Sequence, residues 1–201
     1  MKKKVYVSLS ADILHSGHIN ILNKASKYGD ITVGLMTDKA ISEYKKIPIL
    51  NYQQRKAVVQ NLNMVKNVVP QETKDYRPNL RKLKPNFVVH GDDWKNGVLK
   101  ESRLQVIEEL KKWSGKLVEF KYTKNISSTQ IKKSVLSLSS IKQSRTSILK
   151  RLINSKDLVR IIEAHSPLVG LIIENLKFEE KNKNIKFDGM WSSSLTESLI
   201  R

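Results

Sequence analysis

The chain has 201 residues, with 39% hydrophobic and 28% charged side chains, the proportions of an ordinary globular protein long enough for one domain or one and a half. It has no cysteine, which excludes a disulfide framework and any thiolate metal site. Its 37 Lys and Arg against 19 Asp and Glu leave a net charge of +18, which invites a nucleic-acid reading. The lysines, however, are scattered through every predicted element and form no stripe, so nucleic acid is not the expected partner. The positive field still favours small anions such as triphosphates and phosphonates. No apolar run approaches a membrane span, and no membrane partner is expected. Met1-Lys2-Lys3-Lys4 and the apolar residues after it are interrupted by Asp12 and His15, so a signal peptide is rejected and a cytoplasmic location is the default.

The first strand is expected at Lys4–Leu9 and the first helix at His18–Tyr28, with His15-Ser16-Gly17-His18 at their junction. Such a junction is where an open α/β sheet binds nucleotide phosphates. Histidines three apart at a helix start share one face, and Gly17 between them lets backbone or ligand come close. Two imidazole donors aimed at an α-phosphate would stabilise the charge that in-line attack builds on its oxygens. A buried hydrogen-bonded histidine pair, or half of a zinc site, are the alternatives.

Strand Asp30–Met36 and helix Asp38–Tyr44 follow, then a loop Tyr44-Lys45-Lys46-Ile47-Pro48 and helix Tyr52–Leu62, which carries Arg55. The lysines offer mobile cations and Arg55 a fixed fork for phosphate, although a solvated charge run is the commoner reason for such lysines. Strand Asn67–Val69, helix Tyr76–Leu83 and strand Asn86–His90 lead to His90-Gly91-Asp92-Asp93-Trp94. Those side chains should face the same crevice as His15 and His18, with Trp94 walling it; a Gly-Asp turn capping a helix is the alternative. Helix Lys100–Trp113 and strand Lys116–Phe120 come next, and Gly29 and Gly115 are expected as left-handed helix caps. Ser127-Ser128-Thr129 ahead of a helix Ser128–Ser137 makes an N-cap suited to β- and γ-phosphates, though most such caps bind nothing. Strands alternating with helices imply a doubly wound parallel sheet, an α/β fold of Rossmann type.

From Ser137 to Ser147 the composition turns to Ser, Lys, Gln and Thr, and a basic helix Ile148–Ile153 follows. Leu158-Val159-Arg160-Ile161-Ile162, a helical stretch after Pro167 and Phe187-Asp188-Gly189-Met190-Trp191 then read as the opening β-α-β of a second α/β domain that stops before completing a sheet. The expected domains are 1–136, a linker with a basic helix at 137–157, and 158–201.

In this order the motifs resemble the cytidylyltransferase family that includes the glycerol-3-phosphate, phosphocholine and phosphoethanolamine enzymes, over roughly residues 4–133. Ala11-Asp12-Ile13-Leu14-His15-Ser16-Gly17-His18 resembles its G-T-F-D-x-x-H-x-G-H, Tyr52–Arg55 its helix-start arginine motif, His90–Trp94 its G-D-D-W, and Tyr122–Thr129 its R-T-x-G-I-S-T-T. The resemblance implies a homodimer that transfers CMP from CTP to a phosphate-bearing acceptor, with magnesium carried on the triphosphate and pyrophosphate leaving. It implies a catalytic role for His15, His18 and Lys46, and no protein-held metal. Nucleotide contacts would come from Ser10, Ala11, Asp12, Gly17, Lys45, Arg55, Gly91, Asp92, Asp93, Trp94, Tyr122, Thr123, Ile126, Ser127, Ser128 and Thr129. Tyr76 and Arg77 are candidate acceptor contacts. Leu9-Ser10-Ala11 stands where the family has Gly-Thr-Phe, Tyr122 where it has arginine and Asn125 where it has glycine. Lys121 or Lys124 could restore the lost charge, or Tyr122 could stack on the base.

Glu163-Ala164-His165-Ser166-Pro167-Leu168 and Asp188–Leu195 resemble the start of phosphoenolpyruvate mutase, whose (β/α)₈ barrel needs roughly 200 residues or more. Ser193, Ser194 and Leu195 would match its phosphoryl contacts. Fusions of the two enzymes occur in phosphonate biosynthesis, so the expected acceptor is 2-aminoethyl- or 2-hydroxyethylphosphonate, with a phosphomonoester such as glycerol 3-phosphate as the alternative. No mutase activity is expected from so short a segment. An adenylyltransferase of the same superfamily is the nearest rival.

Overall fold

The computed structural model describes residues 2–43, 45–95, 100–123, 126–132, 145–176, 178–180 and 183–191. They group into two compact units, 1–142 and 143–201.

The first unit is built on a sheet of strands β1 (Lys4–Leu9), β2 (Asp30–Met36), β3 (Val65–Gln71), β4 (Phe87–Gly91) and β5 (Lys116–Phe120). All pairings are parallel and the order is β3-β2-β1-β4-β5. This is the expected doubly wound α/β fold, and its strand order reverses between β1 and β4. At such a switch point two crossovers leave on opposite faces of the sheet and open a crevice beyond the strand ends.

Helices α1 (Ser16–Ser26), α2 (Asp38–Ser42), α3 (Tyr52–Val59), α4 (Arg77–Leu83) and α5 (Lys100–Lys111) supply the outer layers. Residues of β1 alternate between the two cores, as a strand's period of two requires. Val5 and Val7 pack with Leu22 and Ala25 of α1 and Val59 of α3. Tyr6 and Val88 pack with Leu80 of α4 and Val106 and Leu110 of α5. Being covered on both faces explains why Val5, Tyr6 and Val7 are each no more than 1% exposed.

The strands β1, β2 and β5 have their expected limits, whereas several helices differ. α1 begins at Ser16 rather than His18, because His15 itself is the N-cap. α2 ends at Ser42, α3 at Val59 and α5 at Lys111, each short of its expected end. β3 is longer than Asn67–Val69 and contains Pro70, which an edge strand tolerates because one side of its backbone needs no partner. Past α5 the left-handed residue is Ser114, at φ 59, not Gly115. Gly115 is needed for space, since a Cβ there would lie 2.7 Å from Leu110 Cδ2 and 3.0 Å from the Pro85 carbonyl oxygen. Residues 128–132 are helical, and the remainder of the expected helix to Ser137 lies outside the described residues, as do Tyr44, Lys124 and Asn125.

The second unit has α6 (Arg145–Ser155), β6 (Ile161–Glu163), α7 (Pro167–Asn175), β7 (Phe178–Glu180), β8 (Lys183–Ile185) and β9 (Gly189–Trp191). β6 and β9 pair in parallel, with α7 between them in the chain. The β7–β8 antiparallel hairpin was not expected from the sequence. Ser166 caps α7 by accepting from the Val169 amide at 3.2 Å. Asp188 joins the unit's start to its last strand, accepting from Lys156 Nζ at 2.5 Å and the Arg160 amide at 2.9 Å. Ser192, Ser193, Ser194 and Leu195 lie outside the described residues. Among the described residues no helix is long and apolar enough to cross a membrane.

Candidate active site

A cleft opens at the switch point. It is lined by Val7 and Ser8 of β1, His15, Gly17, His18, Ile21 and Lys24 around α1, Val89, His90, Gly91 and Asp93 around β4, and Phe120–Thr123 beyond β5. Its volume is about 110 Å³. That is below the roughly 300–1,000 Å³ of pockets that take a whole ligand, so it can enclose only part of one.

The two histidines cap their own helix. His15 Nδ1 accepts from the Gly17 amide at 3.1 Å, and His18 Nδ1 accepts from the His15 amide at 3.4 Å. This is a reciprocal capping box made with imidazoles. A neutral imidazole whose Nδ1 accepts must carry its proton on Nε2. Both rings therefore offer an Nε2–H donor, 4.0 Å apart by ring centroid and tilted by 42°. Gly17 makes the arrangement possible, because a Cβ there would stand 2.9 Å from His15 Cε1.

Burial keeps both rings neutral. It lowers His15, and with the nearby charges of His15 and Lys45 it lowers His18 to about 4. Because the folded value lies below the unfolded one near 6.5, the stabilisation is complete above pH 6.5 and is lost as pH falls toward 4. Glu109 and Glu119, held at about 2 by Arg81 and Arg103, begin to lose their own stabilisation only near pH 4.5, at the foot of this window. We expect the urea midpoint to fall across pH 6.5 to 4, with His18 contributing up to about 1.4 kcal/mol per pH unit. A His18→Asn protein should show a shallower slope; an unchanged slope would refute this assignment.

Lys45 and Lys46 lie on an exposed loop. Although Lys45 is exposed by area, crowding by protein atoms lowers its ammonium, with Asp93 opposing and Lys132 adding to the shift. Its exposure keeps that effect modest, and the side chain stays a cation. The Asp12 carboxylate holds this loop, accepting from the Ile49 amide at 2.7 Å and the Leu50 amide at 3.2 Å while pairing with Lys132. Asp12 thus serves the loop, and it does not line the cleft.

Arg55 differs most from its expected place. Its side chain is 0% exposed and all its contacts are internal. Nη1 donates to the Ser10 carbonyl at 2.6 Å and the Met36 carbonyl at 2.7 Å, Nε to the Leu50 carbonyl at 3.1 Å, and Nη2 to Asp38 at 2.7 Å. It ties the ends of β1 and β2 to the 45–50 loop and does not line the cleft. Trp94 is likewise buried, donating to Glu119 at 2.8 Å behind the His90 ring rather than walling the cleft. Tyr76 is 4% exposed inside the same aromatic cluster, and Arg77 is paired with Asp75 at 2.7 Å; neither lines the cleft.

Ser10 lends its carbonyl to Arg55, and Ala11 is buried with φ 46. Asp92 accepts from the Tyr122 amide at 2.9 Å, bringing the segment after β5 to the end of β4. Tyr122 and Thr123 line the cleft, and Tyr122 reaches the Ile126 carbonyl at 3.4 Å. Ser127 caps the helical residues 128–132 by accepting from the Gln130 amide at 3.2 Å. Ser128 donates to the Ile13 carbonyl at 3.2 Å, which brings Thr129 and its helix start to the loop before His15.

Residues 10–134 match the cytidylyltransferase-like family. The chain belongs to that family. It is 30% identical over 138 residues to the glycerol-3-phosphate cytidylyltransferase of Bacillus spizizenii, covering 68% of this chain and 99% of that enzyme. It is 35% identical over 133 residues to the ethanolamine-phosphate cytidylyltransferase of Dictyostelium discoideum, covering 64% of this chain and 35% of that longer enzyme. The crystal structure of a lipopolysaccharide core biosynthesis protein from Thermoplasma volcanium superposes with a TM-score of 0.53 at 26% identity, over 61% of this chain and 99% of that one. The protein is a nucleotidyltransferase of the cytidylyltransferase type.

Among the described residues of this cytidylyltransferase-like protein, no three His, Asp or Glu side chains converge to hold a metal ion. Its sequence did not single out Ser8 or Lys132. Ser8 could have been found from the alternation of β1, which puts it on the Tyr6 face at the strand's carboxyl end. Lys132 carries no such signal, since only the folded chain brings it to Asp12.

Proposed function

We propose that this protein transfers CMP from CTP to 2-aminoethyl- or 2-hydroxyethylphosphonate, or to a phosphomonoester of similar size, and releases pyrophosphate. An acceptor oxygen forms a bond to the α-phosphorus as the bond to the pyrophosphate bridging oxygen breaks, and that oxygen keeps the electron pair. The reading is carried by the His15–His18 pair, whose capping bonds leave both Nε2–H groups as donors beside a cleft. They act as neutral donors to the α-phosphate oxygens, where negative charge grows in the transition state. Lys45 and Lys46 neutralise the triphosphate and the incoming acceptor, and the helix start at Ser127–Thr129 receives the β- and γ-phosphates. Magnesium enters as the triphosphate's counter-ion. Arg55, Asp12 and Trp94 hold this machinery in place from behind.

The CTP preference is supported by the named activities of the two enzyme relatives, both cytidylyltransferases. The phosphonate acceptor is supported by the resemblance of Glu163–Leu168 and Asp188–Leu195 to the start of a phosphonate-forming mutase. The cytoplasm and a homodimer are the proposed setting. Pyrophosphate release with each of four nucleoside triphosphates against a panel of phosphonates and phosphomonoesters tests the reading. CTP with an aminoethyl or hydroxyethyl phosphonate should give the highest rate. Turnover with ATP alone would reject the donor, and turnover with glycerol 3-phosphate alone would reject the phosphonate and leave the phosphomonoester as the acceptor.

A further inference from the structure

We propose that Ser8 and His90 form the edge of the cleft that reads the exocyclic amino group of the nucleotide's base, and so set the preference for CTP over UTP. This rests on the nucleotidyl-transfer reading above. β1 and β4 pair through Tyr6↔Val88, and the strand period of two carries the same face onward to Ser8 on one strand and His90 on the other. Both residues line the cleft. The Ser8 hydroxyl is buried, its residue 6% exposed, and has no hydrogen-bond partner among the described residues. A buried polar atom left unpaired needs an explanation, and a ligand group is one.

His90 fixes what that group must be. Its ring is stacked on Trp94 at 3.9 Å and 9°, and its Nδ1 lies 2.8 Å from the Gly91 carbonyl oxygen. A carbonyl only accepts, so Nδ1 carries the proton and donates. Burial lowers the ring's affinity for a second proton, against the pull of Asp93 and Glu119. Nε2 is therefore a lone-pair acceptor, on a side chain that is 13% exposed. An acceptor here beside a hydroxyl that can also accept calls for a ligand N–H donor. The neutral Ser8 and His90 acceptors suit a neutral amino group, and the Asp93 carboxylate at the cleft, 45% exposed, is not the buried partner an ammonium would need. The apolar walls Val7, Ile21, Val89 and Phe120 suit the flat ring that bears it.

Uracil places a carbonyl oxygen where cytosine places its amino group. The Ser8 hydroxyl can rotate to donate to that oxygen. His90 cannot without surrendering its bond to Gly91, so His90 discriminates more strongly. Equilibrium titration with CTP and with UTP, without acceptor, reads the effect directly, and pyrophosphate release provides the second readout. Wild-type protein should prefer CTP. His90→Phe, which keeps the stack on Trp94, should reduce the CTP/UTP ratio by about 10- to 100-fold, as loss of a designed polar contact does. Ser8→Ala should reduce it severalfold, and His90→Gln, which retains an acceptor, should fall between His90→Phe and wild type. Ser8→Ala and His90→Gln proteins that both keep the wild-type ratio overturn the proposal, whether or not His90→Phe folds. A wild-type protein that binds neither nucleotide overturns the transferase reading itself, and this proposal with it.

Discussion

Replacing His18 by alanine should lower kcat by about 10²-fold or more while leaving the thermal midpoint close to that of the wild type. Removing one preorganised donor from a charge-stabilising pair costs about this much in other enzymes. The geometry here makes the donor unusually well defined. His18 Nδ1 is occupied by the His15 amide at 3.4 Å, so Nε2 alone carries the proton. With its pKa pushed down to about 4, the ring donates as a neutral group throughout the physiological range. Its effect should therefore show in kcat more than in KM, because the oxygens it serves gain charge only as the new bond forms. His15→Ala should act in the same direction but with a larger structural component, since His15 also caps α1. The measurement is pyrophosphate release under saturating CTP, with unfolding followed in parallel. A folded His18→Ala protein turning over within threefold of wild type would remove the histidine pair from the chemistry.

The frame of the first unit was legible because its signals are local. Continuous apolar runs such as Val5-Tyr6-Val7 and Phe87-Val88-Val89 declare strands buried on both faces, and the motifs sit where such strands end. The errors have local causes too. The start of α1 was hidden because its cap is an imidazole instead of the usual Ser, Thr, Asp or Asn. β3 was read short because Pro70 argues against a central strand, and only the sheet order reveals that it lies at an edge.

Side-chain roles were harder to read, because residue type does not say which way a group faces. Arg55 and Trp94 have the chemistry of ligand contacts, and their places in the motifs suggest that role. Their partners, the carbonyls of Ser10, Met36 and Leu50 and the carboxylate of Glu119, come from segments far apart in the chain. Asp12 was placed on the nucleotide for the same reason, and the folded chain gives it the amides of Ile49 and Leu50. Ser8 went unnoticed because a lone serine in a strand has no pattern of its own. Its significance lies in a hydroxyl without a hydrogen-bond partner among the described residues, which only the folded chain reveals. Residue type alone thus does not say which members of a motif line the cleft.

Arg55→Leu should destabilise the first unit by about 3–5 kcal/mol, the cost of removing one partner from a buried ion pair. At 2–4 °C per kcal/mol for a chain of this size, the midpoint should fall by roughly 6–20 °C. The loss is large because Arg55 is 0% exposed and satisfies four acceptors at once. Without it, three carbonyls at the ends of β1, β2 and the 45–50 loop lose their donor, and Asp38 keeps a charge that is only 19% exposed on its side chain. Arg55→Lys keeps the charge but not the planar fork, so it can serve one or two of those acceptors and should lose roughly half as much. Both changes should also raise KM for the nucleotide, because Ser10 and the loop bearing Lys45 and Lys46 are anchored through this side chain. A direct phosphate ligand would behave differently. Its replacement by lysine would alter nucleotide affinity and leave the unfolding midpoint within about 0.5 kcal/mol of wild type, the range of ordinary surface changes. Finding that pattern for Arg55→Lys would return Arg55 to the substrate side of the site.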